Sequence, residues 1–164
     1  MDGRIRAAER EASGAQCRDK SQLFSHFFRY EGANVSKEIF HLGKISEVIN
    51  ASKAPISAVT KGGGLVFVSG LPPFDLETGH LVRGDIRVQT RQCLENLKAA
   101  LEVAGSSFDK VLKVTVLVSN CAYWDDINAI YAHYFTHEPP ARTFITVGAW
   151  AQPFDIEMEA VALA

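Results

Sequence analysis

DIRVQTRQCLENLKAALEVAGSSFDKVLKVTVLV, residues 85–118, carries two hydrophobic periods in succession. Over 85–104, Ile86, Thr90, Cys93, Leu94, Leu97, Ala100, Leu101 and Ala104 recur at helical spacing and form one stripe. Asp85 stands where a carboxylate caps the free amides of a first turn, and Gly105 where a left-handed residue ends a helix. Over 110–118, KVLKVTVLV is nearly all β-branched or Leu and predicts a strand. A long amphipathic helix feeding a strongly apolar strand predicts helix layered on sheet.

The flanks extend this pattern. Upstream, ISAVTK (56–61) and LVFVSG (65–70) are predicted strands joined through Gly62, Gly63 and Gly64, where positive φ costs little. KEIFHL (37–42) suits an edge strand, and LPPFDLETGHLVRG (71–84) a loop. Downstream, a second helix is predicted over 122–136, with Tyr123, Ile127, Ile130, Tyr131 and Tyr134 on one stripe, stopped by Pro139 and Pro140. RTFITVG (142–148) and FDIEMEAVAL (154–163) follow as strands joined by a short loop around 151–153. From residue 56 the order is β-β-α-β-α-β-β. This is an α+β fold: a single mixed sheet with two helices on one face. A sheet this apolar needs cover on its other face, which predicts subunit packing there.

The 164 residues suffice for one domain with a real core. Residues 35–164 read as that domain. Residues 1–34 mix both charges with little periodicity and read as a disordered or non-native N-terminal extension. Asp2, Glu9, Glu11, Asp19 and Glu31 argue against a transit peptide. With a net charge of -2 there is no basic footprint for nucleic acid or an acidic membrane surface. No apolar run reaches the ~18 residues of a membrane span. Cys17, Cys93 and Cys121 lack metal-ligand or CxxC spacing and read as free thiols of a cytoplasmic protein.

In the last strand Ile156, Met158, Ala160 and Ala162 share one face, and Glu157, Glu159, Val161 and Leu163 the other. A glutamate among apolar neighbours needs compensation. Arg142 opens the preceding strand, and an antiparallel hairpin would set the two strands side by side. Arg offers a planar fork for a carboxylate, and a partly desolvated Glu can move a proton. On spacing alone, a solvated surface ion pair is the commoner outcome for such residues. His133 and His137 sit at i, i+4 without a third ligand or an HExxH pattern, so no metal is expected. Cys93 falls on the core stripe, and Cys121 has no basic neighbour to activate it.

The ordered set LVFVSG, QTRQCLENLKAALEVAG, INAIYAHYF, PPART and IEMEAVA resembles the Rid (reactive intermediate deaminase, YjgF) family over roughly residues 53–164. That resemblance implies a chorismate-mutase-like α+β fold assembled as a homotrimer, with sites in clefts between subunits. It implies that Arg142 binds a substrate carboxylate, that Glu157 positions or activates water, and that Ser69 and Asn128 line the cleft. The implied reaction, without metal or organic cofactor, is hydrolysis of short 2-imino or enamine acids to 2-oxo acids and ammonia. Two positions depart from the family pattern. Ile56 stands where many members carry the tyrosine of a GPYS-like segment, and Phe144 where well-studied members carry cysteine. Both make the implied pocket more apolar. They keep two alternatives open: a small-carboxylate-binding regulatory trimer with little turnover, and a deaminase of another imine, such as an aminomuconate-like intermediate.

Overall fold

The computed structural model describes residues 36–164, so the expectation for residues 1–34 lies outside the described residues. The elements are β1 (Glu38–Phe40), α1 (Gly43–Ser52), β2 (Val59–Gly62), β3 (Leu65–Leu71), α2 (Ile86–Val103), β4 (Val111–Val118), α3 (Trp124–Tyr131), β5 (Ala141–Thr146) and β6 (Ile156–Leu163). They form one six-stranded sheet in the order β1-β2-β3-β6-β4-β5. Among the described residues only the β4–β5 pairing is parallel.

The central helix forms as its sequence dictates. Asp85 Oδ1 accepts from the Val88 amide at 3.0 Å, and Gly105 takes φ +77° past the last turn. Leu94, Leu97 and Leu101 are fully buried, as are Val114 and Val116 of β4 and Ile156 and Met158 of β6. Cys93 belongs to this core, its thiol donating to the Ile156 carbonyl at 3.5 Å. Burial pushes that thiol's pKa well up, with Glu157 adding to the shift, so it stays a neutral packing group.

The expected hairpin of β5 and β6 does not form. β4 lies between them, pairing parallel with β5 and antiparallel with β6. Because α3 occupies the connection from β4 to β5, that connection is a crossover, which returns a strand parallel to its predecessor. β6 then fills the slot between β3 and β4, where both of its backbone edges are paired. This suits its composition, because Ile156, Met158, Ala160 and Ala162 are all buried. β5 is left at the sheet edge.

Two helices were expected, and α1 is a third. Its signal, Ile45, Val48 and Ile49 at i, i+3, i+4, follows directly on the predicted edge strand. The Ser46 hydroxyl accepts from the Leu42 amide at 2.8 Å, and Lys53 closes the helix in the left-handed region. The second predicted helix is shorter than expected, running as α3 from Trp124 to Tyr131. Among the described residues no helix is long and apolar enough to cross a membrane.

Candidate active site

Register decides which candidate side chains can meet. Residues paired across neighbouring strands point to the same face of a sheet. Arg142 and Phe144 pair with Val114 and Val116, both buried on the helix-bearing face. Glu157 pairs with Leu117, on the face that α2 and α3 leave open. Within one chain, therefore, Arg142 and Glu157 lie on opposite faces, on strands separated by β4. The salt bridge suggested by their nearness in sequence is absent.

The Arg142 side is built by α3. Trp124, Asn128 and Tyr131 recur at i, i+4 and i+7, and so form one stripe. Arg142 Nη2 donates to Asn128 Oδ1 at 2.6 Å. The guanidinium lies 4.7 Å from the centre of the Tyr131 ring and 5.1 Å from that of Trp124, a double cation–π contact. Tyr131 stacks in turn on Phe135 at 4.4 Å, and Trp124 meets Phe144 edge-on at 4.9 Å. Burial pushes the Tyr131 hydroxyl up to about 12, while the Arg142 charge pulls the other way. Among the described residues no carboxylate pairs with Arg142. A half-buried cation held by a neutral acceptor and two rings keeps donors available for an anion.

On the helix-free face, Glu157 is half-buried beside β3 at the point where the β3–β6 register shifts, between Val68 and Leu71. Gly70 makes room for it, since a Cβ built there would come within 2.8 Å of Glu157 Oε1. Burial raises the Glu157 pKa above the ordinary carboxylate range. The nearby Trp150 indole opposes this shift, and the neighbouring Glu159 charge adds to it. Ser69 lines a concavity of about 330 Å³ on this face, with Ser57, Thr60, Lys113, Thr115 and Glu159. Ile56, next to Ser57, is 55% exposed.

The six candidates thus separate. Arg142, Asn128 and Phe144 gather at the β5 edge with α3. Glu157 and Ser69 lie on the helix-free face, and Ile56 leads into the strand beside Ser69. Trp124 and Tyr131 were not among the sequence candidates for Arg142. Their spacing from Asn128 was the available signal, but it resembles an ordinary core stripe until the partner of Asn128 is known.

Comparison with known proteins places this arrangement. The family model described as Endoribonuclease L-PSP matches residues 47–164. A RutC family protein of Pyrococcus horikoshii is 44% identical over 115 residues, covering 69% of this chain and 91% of that protein. The chloroplastic Reactive Intermediate Deaminase A of Arabidopsis thaliana is 35% identical over 121 residues, covering 71% of this chain and 65% of that protein. A Yersinia pestis crystal structure, described as a protein of the conserved Rid family, superposes with a TM-score of 0.69 at 35% identity. That match covers 79% of this chain and all of the other. The chain belongs to the Rid/YjgF family.

Proposed function

We propose that this protein is a cofactor-independent, cytoplasmic deaminase of short 2-imino and enamine acids, working as a homotrimer whose clefts bring Arg142 of one subunit to Glu157 of a neighbour. The observation that carries this reading is Arg142 itself, a half-buried guanidinium oriented by Asn128 and two rings, with donors left over. Family membership and the deaminase name of the Arabidopsis relative support it. The opposite-face placement of Arg142 and Glu157 supports an intersubunit site, since a second chain can join what β4 separates.

The chemistry follows from these groups. Arg142 holds the substrate carboxylate and so fixes the position of C2. Glu157, as carboxylate, accepts a proton from water as the water oxygen bonds to the carbon of the protonated imine, whose C=N π electrons move to nitrogen and leave a neutral carbinolamine. Glu157 then gives that proton to the amino nitrogen and takes the hydroxyl proton as the C=O forms and the C–N bond breaks, releasing the 2-oxo acid and ammonia, which carries off the remaining proton. The raised pKa of Glu157 suits both directions of transfer. Ser69 and Asn128 complete the polar lining, while Ile56 and Phe144 narrow it with apolar surface.

The test uses imines made in place by an amino acid oxidase, with semicarbazide as trap. Suppression of trapping by the protein, lost in Arg142→Ala, supports the reading. No suppression with any imine sinks it. Phe144 against Trp124 also favours a second reading, a small-carboxylate-binding trimer. Binding of 2-oxo acids without ammonia release would select that one. Turnover of an aminomuconate-like imine alone would keep the reaction and change the substrate.

A further inference from the structure

Trp124 is the aromatic neighbour of Arg142 that remains open. Tyr131 flanks the guanidinium too, but it is only 6% exposed, whereas Trp124 is 46% exposed. Phe144 meets the indole edge-on at 4.9 Å with an interplanar angle of 76°, which holds the ring in place. With the Arg142 guanidinium 5.1 Å from the indole centre, the carbons next to a carboxylate bonded to it at about 2.8 Å have the exposed part of Trp124 within reach. A methyl substituent on those carbons leaves the indole uncovered. A benzyl or isobutyl group covers it and gains apolar and aromatic contact.

We infer that Trp124 is a specificity-determining residue, and that the substrates of this site are 2-imino acids with aromatic or bulky apolar side chains. The inference rests on the imine-deaminase reading of the same site and narrows its substrate class. The departures at 56 and 144 agree with it, since Ile56 and Phe144 both add apolar surface. The carboxylate contact is common to every 2-imino acid, so discrimination has to come from the side-chain end, where Trp124 and Phe144 stand.

The imine has no stereocentre at C2, so D-amino acid oxidase acting on D-alanine or D-phenylalanine supplies both test substrates. The expected kcat/KM ratio, phenylalanine-derived over alanine-derived, is on the order of tenfold, the size a substrate-pocket contact of one or two carbons gives. In Trp124→Leu this ratio falls toward one. Equal rates on both imines overturn the inference while the deaminase reading stands. An equal fall on both imines in Trp124→Leu, or loss of its assembly in size-exclusion chromatography with light scattering, also overturns it, because Trp124 would then serve the guanidinium or the interface. Phenylpyruvate and pyruvate binding, measured by calorimetry, separates the two ideas. Tighter binding of phenylpyruvate without turnover of either imine supports the side-chain preference and removes the deaminase reading. Equal binding with no turnover removes both.

Discussion

The β5 edge and the helix-free face of β6 handle charge in opposite ways. At the edge a permanent cation, Arg142, is surrounded by a neutral acceptor and two rings. On the open face a titratable carboxylate, Glu157, rests against the bare backbone of Gly70, half out of water. Had the two met within one chain, they would have formed an ion pair, and each would have used up the other's binding capacity. With β4 between them no ion pair forms within one chain, so the arginine keeps donors for an anion and no arginine of the same chain offsets the burial that raises the Glu157 pKa.

Substitutions should break the two regions in different ways. The largest effect is expected from Glu157→Gln, a kcat loss of about 10²–10⁴-fold, the usual contribution of a general acid–base group, with little change in 2-oxo acid binding. Arg142→Ala should do the reverse at the binding step. Its product Kd should rise by about 10- to 100-fold, in line with charge-assisted hydrogen bonds of about 1.5–3 kcal/mol. Calorimetry beside steady-state kinetics checks both. If the two variants behave alike, the division of labour is wrong.

Gly70→Ala tests the close approach directly. The added Cβ must displace Glu157, and overpacking of this kind costs about 1–3 kcal/mol. A lower Tm together with a lower kcat is the expected result, whereas a wild-type kcat would show that Glu157 has room elsewhere. The pH profile gives a finer probe. As the proposed base, Glu157 acts only when ionised, so the acid limb of kcat/KM should lie above the usual glutamate value of about 4.3. Trp150→Phe removes the indole N–H donor that lowers this pKa, and should move the limb to higher pH. Glu159→Gln removes a raising charge and should move it to lower pH. A limb that moves with neither variant belongs to another group. The smallest effect serves as a control remote from both regions. Asp85→Ala deletes the α2 cap and should cost about 1 kcal/mol of stability, read by chemical denaturation, with both pH limb and product affinity unchanged.

Much of this molecule could be read before its structure. The α2 stripe, its Asp85 cap and its Gly105 stop formed as expected, because each depends on residues within a few positions. The two faces of β6 were equally legible, since alternation along a strand is a property of its backbone. The edge location of β5 was not. Arg142 and Glu157 are fifteen positions apart by number, and that nearness suggested a hairpin. The α3 crossover made β5 parallel to β4 instead, and the central slot went to the more apolar β6. α1 is hard to read from sequence because Ile45, Val48 and Ile49, the large apolar residues among its ten, make a weak helical signal beside a short strand.

The sequence by itself determined the elements around α2 and β4, the carboxylate-bearing face of β6, and the motifs that carry family membership. All of these are local periods or ordered text. Only the tertiary structure decided that β4 separates Arg142 from Glu157, that Gly70 admits the Glu157 carboxylate, and that Trp124 stands beside the guanidinium. Strand order and ring placement depend on which distant surfaces bury each other best, and no short window of sequence contains both partners of such a contact.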